Sequence, residues 1–239
     1  MKRFWTEASV AQAAGAYRVL LDGRPVRLPG GAPLTLPNAA LAAAIAAEWQ
    51  AAGGQNGGEM GWEMVPLTRL AGTAQERIVP DPGAVIDALA RYGETDLLCY
   101  RAERPAALVE RQARLWQPWL DWAERHYGAR LVPVCGIAYR PQDPAAPAAL
   151  RRALEAYHPL ALAALGVAVP ALGSLVLGLA LAEGAIAPGL AHEAATLDQA
   201  FQAEQWGEDP EMARRLAQIA DDIAVANCLL RLARSRPDR

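Results

Sequence analysis

The sequence predicts an α+β protein, with a small strand-containing part first and helices from there to the C-terminus. Three observations carry that reading. Apolar residues alternate at Tyr17, Val19 and Leu21 and resume at Val26 and Leu28, on either side of Asp22-Gly23. A period of two around such a pair is a hairpin signal. Near the other end, Met212, Leu216, Ile219, Ile223, Ala226, Leu230 and Ala233 recur at alternating steps of four and three. That is one apolar stripe down a helix of about seven turns. Finally, 53% of the 239 residues are hydrophobic and 21% charged, which argues against disorder, and the alanine content favours closely packed helices.

The elements follow in order. Residues 17–36 read as short strands, broken at Pro29-Gly30-Gly31 before Leu34 and Leu36. Asn38 caps a helix with Leu41, Ile45 and Trp49 on one face. Five glycines between Gly53 and Gly61 make a loop too irregular to cradle a phosphate, and no GxxxxGK[ST] motif occurs. Met64–Ala74 is apolar around one cation, Arg69. Strand signals give way to helices near Gly83. Asp81-Pro82 starts a helix with the face Val85, Leu89 and Tyr92, closed by Gly93. Leu97–Tyr100 fits either a strand or a helical turn. Leu108–Tyr127 reads as helix, with Trp116, Trp119, Ala123 and His126 on one side and a kink or restart at Pro118. Trp116 and Trp119 read as core. Residues 129–147, with four prolines, read as an ordered connector.

Leu160–Ala182 carries no charge over 23 positions, long enough to suggest a membrane span. Its Ala/Gly content, Pro170 and the lack of flanking Lys or Arg argue instead for two short buried helices broken at Pro170. The net charge of −3 gives no footprint for nucleic acid. Three distant cysteines suggest a reducing compartment, and MKRFWTEASVAQ has no apolar run of a secretory signal. The three histidines lack zinc-ligand spacing. Ser174 is not in a hydrolase turn, and Cys99 reads as a buried thiol.

One corner concentrates charge: Glu204, Glu208, Asp209 and Glu211 surround Trp206-Gly207. Gly207 suits a helix end that needs positive φ, and Asp209 caps a new helix with Pro210 at its first position. The helix dipole favours Asp209 and Glu211 but not Glu204, which lies at the end of the preceding helix. The cluster lacks the spacing of a calcium loop. A small-molecule or metal-dependent enzyme using residues 204–211 is the alternative reading of this corner.

Seven runs in order, YRVLLDGRPVRLPGG, LAAAIAAEWQ, PLTRLAGTA, RYGETDLLCYRAE, QARLWQPWLDW, LGSLVLGLALAEG and LDQAFQAEQWGEDPEM, resemble the assembly chaperones of the F-type ATP synthase that act on its alpha subunit. The resemblance runs from about Phe4 to Leu232. It departs at Leu28, where the pattern often has Thr, at Gly72, where it has Asn, and at Gln75-Glu76, where it has Ile-Asp. It implies a small α+β domain over 1–82 and an orthogonal α-helical bundle over 83–239. It also implies a non-catalytic monomer without cofactor or metal, cytoplasmic in bacteria and in the mitochondrial matrix of eukaryotic relatives. No nucleic acid and no membrane insertion are expected. The implied partner is the unassembled alpha subunit, covered around the surface later buried against the beta subunit. Glu204 and Asp209 match acidic positions needed for activity and not for folding. Trp206 and Gly207 fix the corner, and with Glu208 these five form the expected partner-binding set. Arg69, Asp96, Trp116 and Trp119 match blocks that read as structural, with Asp96 pairing Arg69 or Arg101.

Overall fold

Asp22 and Gly23 both adopt positive φ, 47° and 79°, as a tight two-residue hairpin turn with right-handed strand twist requires. They join β2 (Ala16–Leu21) to β3 (Arg24–Pro25). A further strand, β1 (Ala8–Ala13), pairs antiparallel with β2, Val10 opposite Val19. The sheet order is β1-β2-β3. Sequence reading starts the strands at Tyr17 and misses β1, because ASVAQA is half alanine and carries little strand propensity. The computed structural model describes residues 2–13, 15–136, 138–207 and 209–234.

The chain divides into two units. The first comprises Met1–Pro82 with His158–Ala164 and Cys228–Arg239. Its core takes Val19, Leu21, Val26, Leu28, Leu34 and Leu36 from the strand region, all buried as the alternation requires. Helix α1 (Ala39–Ala51) lies against β1 and β2, burying Leu41, Ile45 and Trp49. Asn38 Oδ1 accepts the Leu41 N–H at 2.8 Å and caps it. At the other end of α1, the buried Arg3 guanidinium donates to the carbonyls of Gln50 (2.7 Å), Ala52 (3.2 Å) and Gly54 (2.6 Å). A cation there satisfies carbonyls the helix leaves open and meets the negative end of its dipole. Helix α2 (Pro66–Thr73) continues into a π-helical turn, Ala74–Ile78. The Glu48 carboxylate accepts the N–H groups of Leu67 (2.7 Å) and Thr68 (3.1 Å) and so caps α2. Burial nevertheless raises its pKa above the ordinary carboxylate value.

The three departures from the family pattern meet in this unit. A Cβ on Gly72 would lie 2.8 Å from Leu28 Cδ2, so the larger residue at 28 occupies space that the glycine leaves. Gln75 Oε1 accepts the Thr35 N–H at 2.9 Å and Glu76 Oε1 the Gly30 N–H at 2.8 Å. The substituted pair thus pins the 29–35 loop to the π-helical turn.

The second unit comprises Gly83–Tyr157 and Leu165–Asn227. Helix α3 (Pro82–Ala90) buries Ile86 and Leu89. Leu97–Cys99 is a 3-10 turn, and Tyr100–Arg101 is a strand, β4, pairing parallel with β5 (Val134–Cys135). Both readings of Leu97–Tyr100 therefore hold in part, and the proline-rich connector contains β5. Helix α4 (Ala106–Tyr127) runs through Pro118 without restarting. Trp116 is buried, its indole N–H on Ala194 O at 2.8 Å. Trp119 is only half-buried, edge-on to Trp122 at 6.4 Å, and His126 is exposed. The expectation that both tryptophans are core holds for Trp116 and is corrected for Trp119.

After α5 (Ala145–Glu155), the uncharged run forms α6 (Pro159–Leu172) and α7 (Leu175–Glu183). The break is not at Pro170, which lies inside the last turn of α6, but at Gly173-Ser174. Gly173 takes φ +62°, and Ser174 Oγ accepts the Leu177 N–H at 3.0 Å. Gly178 allows α6 and α7 to approach, since a Cβ there would lie 2.4 Å from Val169 Cγ2. Among the described residues no helix is long and apolar enough to cross a membrane. Asp96 is fully buried and pairs with neither Arg69 nor Arg101. It accepts the N–H groups of Leu98 and Val176, both at 3.1 Å, and so caps the N-terminus of α7. The Arg101 guanidinium is instead taken by the Leu98 and Gln112 carbonyls at 2.8 and 2.9 Å. Helices α8 (Pro188–Ala195), α9 (Leu197–Trp206) and α10 (Pro210–Arg234) complete the element order.

Candidate functional site

The acidic corner lies between α9 and α10. Helix α9 buries Leu197 and Phe201 and turns its remaining surface outward. It ends where Gly207 takes φ +90°, with its N–H on Ala203 O at 2.9 Å. A side chain at that φ would be strained. Asp209 Oδ1 accepts the Glu211 N–H at 3.1 Å and Asp209 O the Ala213 N–H at 2.9 Å, so Asp209 caps α10 as its sequence context predicts. The apolar stripe from Met212 to Ala233 is buried or half-buried at all seven positions.

This geometry leaves Trp206 81% exposed, the most exposed large apolar side chain among the described residues. Glu204 and Asp209 both line a shallow groove of about 350 Å³ whose walls include Ala200, Ala203, Met212 and Leu216. Four of the five residues expected at the site, Glu204, Trp206, Gly207 and Asp209, thus fall within one junction. Glu208, the fifth, lies outside the described residues.

Sequence reasoning misses Arg111. Its Nη1 lies 2.7 Å from Glu204 Oε1, and its guanidinium sits over the Phe201 ring at 5.2 Å. The hydrogen bond from Arg111 lowers the Glu204 pKa below the usual carboxylate value, and the same bond raises that of Arg111. The ion pair accounts for a carboxylate at the end of α9 where the dipole alone disfavours one. Both side chains remain about half exposed, so solvent screens the pair and either partner can exchange it for another. A separation of 93 residues gives no local signal for the contact. Gln112 joins the same two helices, its Nε2 on Asp198 Oδ1 at 2.8 Å.

Among the described residues, the junction offers anions and an exposed aromatic surface, without a nucleophile and base in mutual reach. Among the described residues no group of three His, Cys, Asp or Glu side chains could hold a metal ion. Cys99 is buried and its thiol pKa is pushed up to about 12, first by burial and then by Asp96, the opposite of an activated nucleophile.

Comparison with known proteins identifies the family. The family described as ATP12 chaperone protein matches residues 2–124. Atp12 from Paracoccus denitrificans is 41% identical, with 98% of each chain covered and a TM-score of 0.90. A variant of that protein with one aspartate replaced by lysine matches equally. A protein from Agrobacterium tumefaciens is 40% identical, covering 98% of this chain and 86% of the other at a TM-score of 0.91. With a matching family over half its length and relatives this similar over nearly all of it, the chain belongs to the ATP12 chaperone family.

Proposed function

We propose that this chain is an assembly chaperone of the F-type ATP synthase that binds the unassembled alpha subunit and keeps it from aggregating until the beta subunit pairs with it. Membership of a chaperone family supports the general role, and the resemblance of the seven sequence blocks supports the client. The observation that carries the site is Trp206, 81% exposed and lying in the chain between Glu204 and Asp209. A subunit awaiting an obligate partner exposes a large apolar patch, and covering it transiently prevents non-productive association. An exposed tryptophan on a fixed corner is the residue type that anchors such contacts. Carboxylates beside it add orientation and on-rate toward a basic client surface. Glu204 exchanges part of its bond to Arg111 for a client cation, which costs little because the pair is exposed.

Co-expression of this chain with the alpha subunit of its own host, followed by pull-down, tests the reading. A complex of the two chains in near-equal amounts is expected. If the alpha subunit stays in the unbound fraction, the client assignment is wrong.

A further inference from the structure

The sheet of the first unit ends in an open edge. In an antiparallel ladder, hydrogen-bonded pairs alternate with pairs whose N–H and C=O groups point the other way. The Asp22 N–H donates to Glu7 O at 3.0 Å, and the Glu7 N–H to Asp22 Oδ1 at 2.9 Å. With the register Ser9 opposite Leu20, Ala11 opposite Arg18 and Ala13 opposite Ala16, those three pairs hold β1 to β2. The other face of β2 confirms the phase. Val19 O accepts the Val26 N–H at 2.9 Å, and Tyr17 exchanges both its bonds with Leu36 at 2.9 Å. Val10 and Gln12, the partners of Val19 and Tyr17, therefore turn their N–H and C=O groups outward. Among the described residues nothing bonds to these outward groups. The open stretch stops at Ala8, whose N–H is taken by Gln50 Oε1 at 2.8 Å.

Proteins blunt such edges with charged side chains, proline or a bulge. The strand ASVAQA has no charge and no proline, and its register with β2 runs unbroken from Ala8 to Ala13. Val10 adds an apolar side chain that is 39% exposed.

We infer that the outer edge of β1 takes an added strand from the client: an extended, uncharged segment of the unassembled alpha subunit, held by main-chain bonds at Val10 and Gln12. The inference rests on the chaperone reading above. Strand addition takes its affinity from the backbone, which suits an edge strand that carries no charge of its own. A second copy of this chain fits less well. A stable dimer needs about 1,200 Å² or more of buried surface, and a six-residue strand against its own copy supplies only a fraction of that. A client held by further contacts has no such requirement.

Proline substitution separates this edge from the fold. Val10→Pro and Gln12→Pro each remove an outward N–H and leave the ladder to β2 intact, whereas Ala11→Pro removes a ladder bond and should lower the melting temperature. Each edge variant is expected to melt like wild type and to bind the alpha subunit roughly tenfold more weakly. Wild-type affinity in both folded edge variants overturns the inference. If the variants do not fold, amide hydrogen exchange of the wild-type chain decides. Val10 and Gln12 are expected to become protected on client binding, and unchanged exchange overturns the inference. A wild-type dimer that Val10→Pro converts to monomer assigns the edge to a second copy and overturns it too. A wild-type chain that binds no alpha subunit takes down the chaperone reading and this inference together, an outcome distinct from the others.

Discussion

At the scale of single residues, burial decides which groups are structural. Asp96 has an ordinary pKa near 3.8, pushed up to about 6 because burial outweighs the hydrogen bonds from Ser174, Val176 and Leu98. The folded chain then holds this proton more tightly than the unfolded chain. The contribution of the group is full below pH 3.8 and is lost as pH rises through about 6, a decline of about 3 kcal/mol. Melting curves of wild type and Asp96→Asn across that window check it. The variant is expected to lack the decline, and parallel curves would contradict the assignment. Asp96→Ala also leaves two buried N–H groups open and should cost about 2–5 kcal/mol at neutral pH, read by denaturant unfolding. Trp116→Ala should cost about 3–5 kcal/mol. Trp119→Ala should cost less than that, since its ring is only partly buried. The sequence marks both tryptophans as apolar positions of one helix. Which of them a neighbour covers is a tertiary fact, set for Trp116 by the Ala194 carbonyl 78 residues away.

At the scale of elements, local rules predict most helix starts and fail where the chain compensates at a distance. Asn38, Ser174 and Asp209 cap α1, α7 and α10 through their own side chains, and two of these are legible as capping residues three or fewer positions ahead of an apolar stripe. Ser174 is read only as a failed nucleophile, and Pro170 as the helix break, although Gly173-Ser174 pairs a helix-ending glycine with a capping serine, because the uncharged run around them shows no change of period. The caps supplied by Glu48 and Asp96 come from other elements and leave no trace in the sequence of α2 or α7. β1 is invisible for a different reason, being alanine-rich with half its backbone unpaired. The Leu28–Gly72 contact shows the same coupling between α2 and the strand region. Gly72→Asn should destabilise by about 1–3 kcal/mol through overpacking against Leu28. Leu28→Thr in the same chain should recover much of that loss. A double-mutant cycle reads the coupling, and additive effects would show that Leu28 is not what excludes a side chain at 72.

At the scale of the whole molecule, the proposed client surface is a corner that folding uses little. Trp206 is 81% exposed, Glu204 pairs among the described residues with the half-exposed Arg111, and Asp209 needs one lone pair for its cap. Trp206→Ala should therefore leave the melting temperature within a degree or two and weaken client binding by about 2 kcal/mol or more, read by titration calorimetry. Client binding should also weaken between low and high salt, because exposed charges are screened beyond roughly 10 Å at 0.1 M. The composition of this corner is legible in the sequence. The arginine that shares Glu204 is not, because α4 and α9 meet only in three dimensions. The most direct test is light scattering of the alpha subunit refolding beside an equal amount of this chain, either wild type or Glu204→Lys. Wild type is expected to suppress the scattering, and the variant, melting as wild type does, to suppress it less. Full protection by a folded Glu204→Lys chain, or none by wild type, would contradict the account.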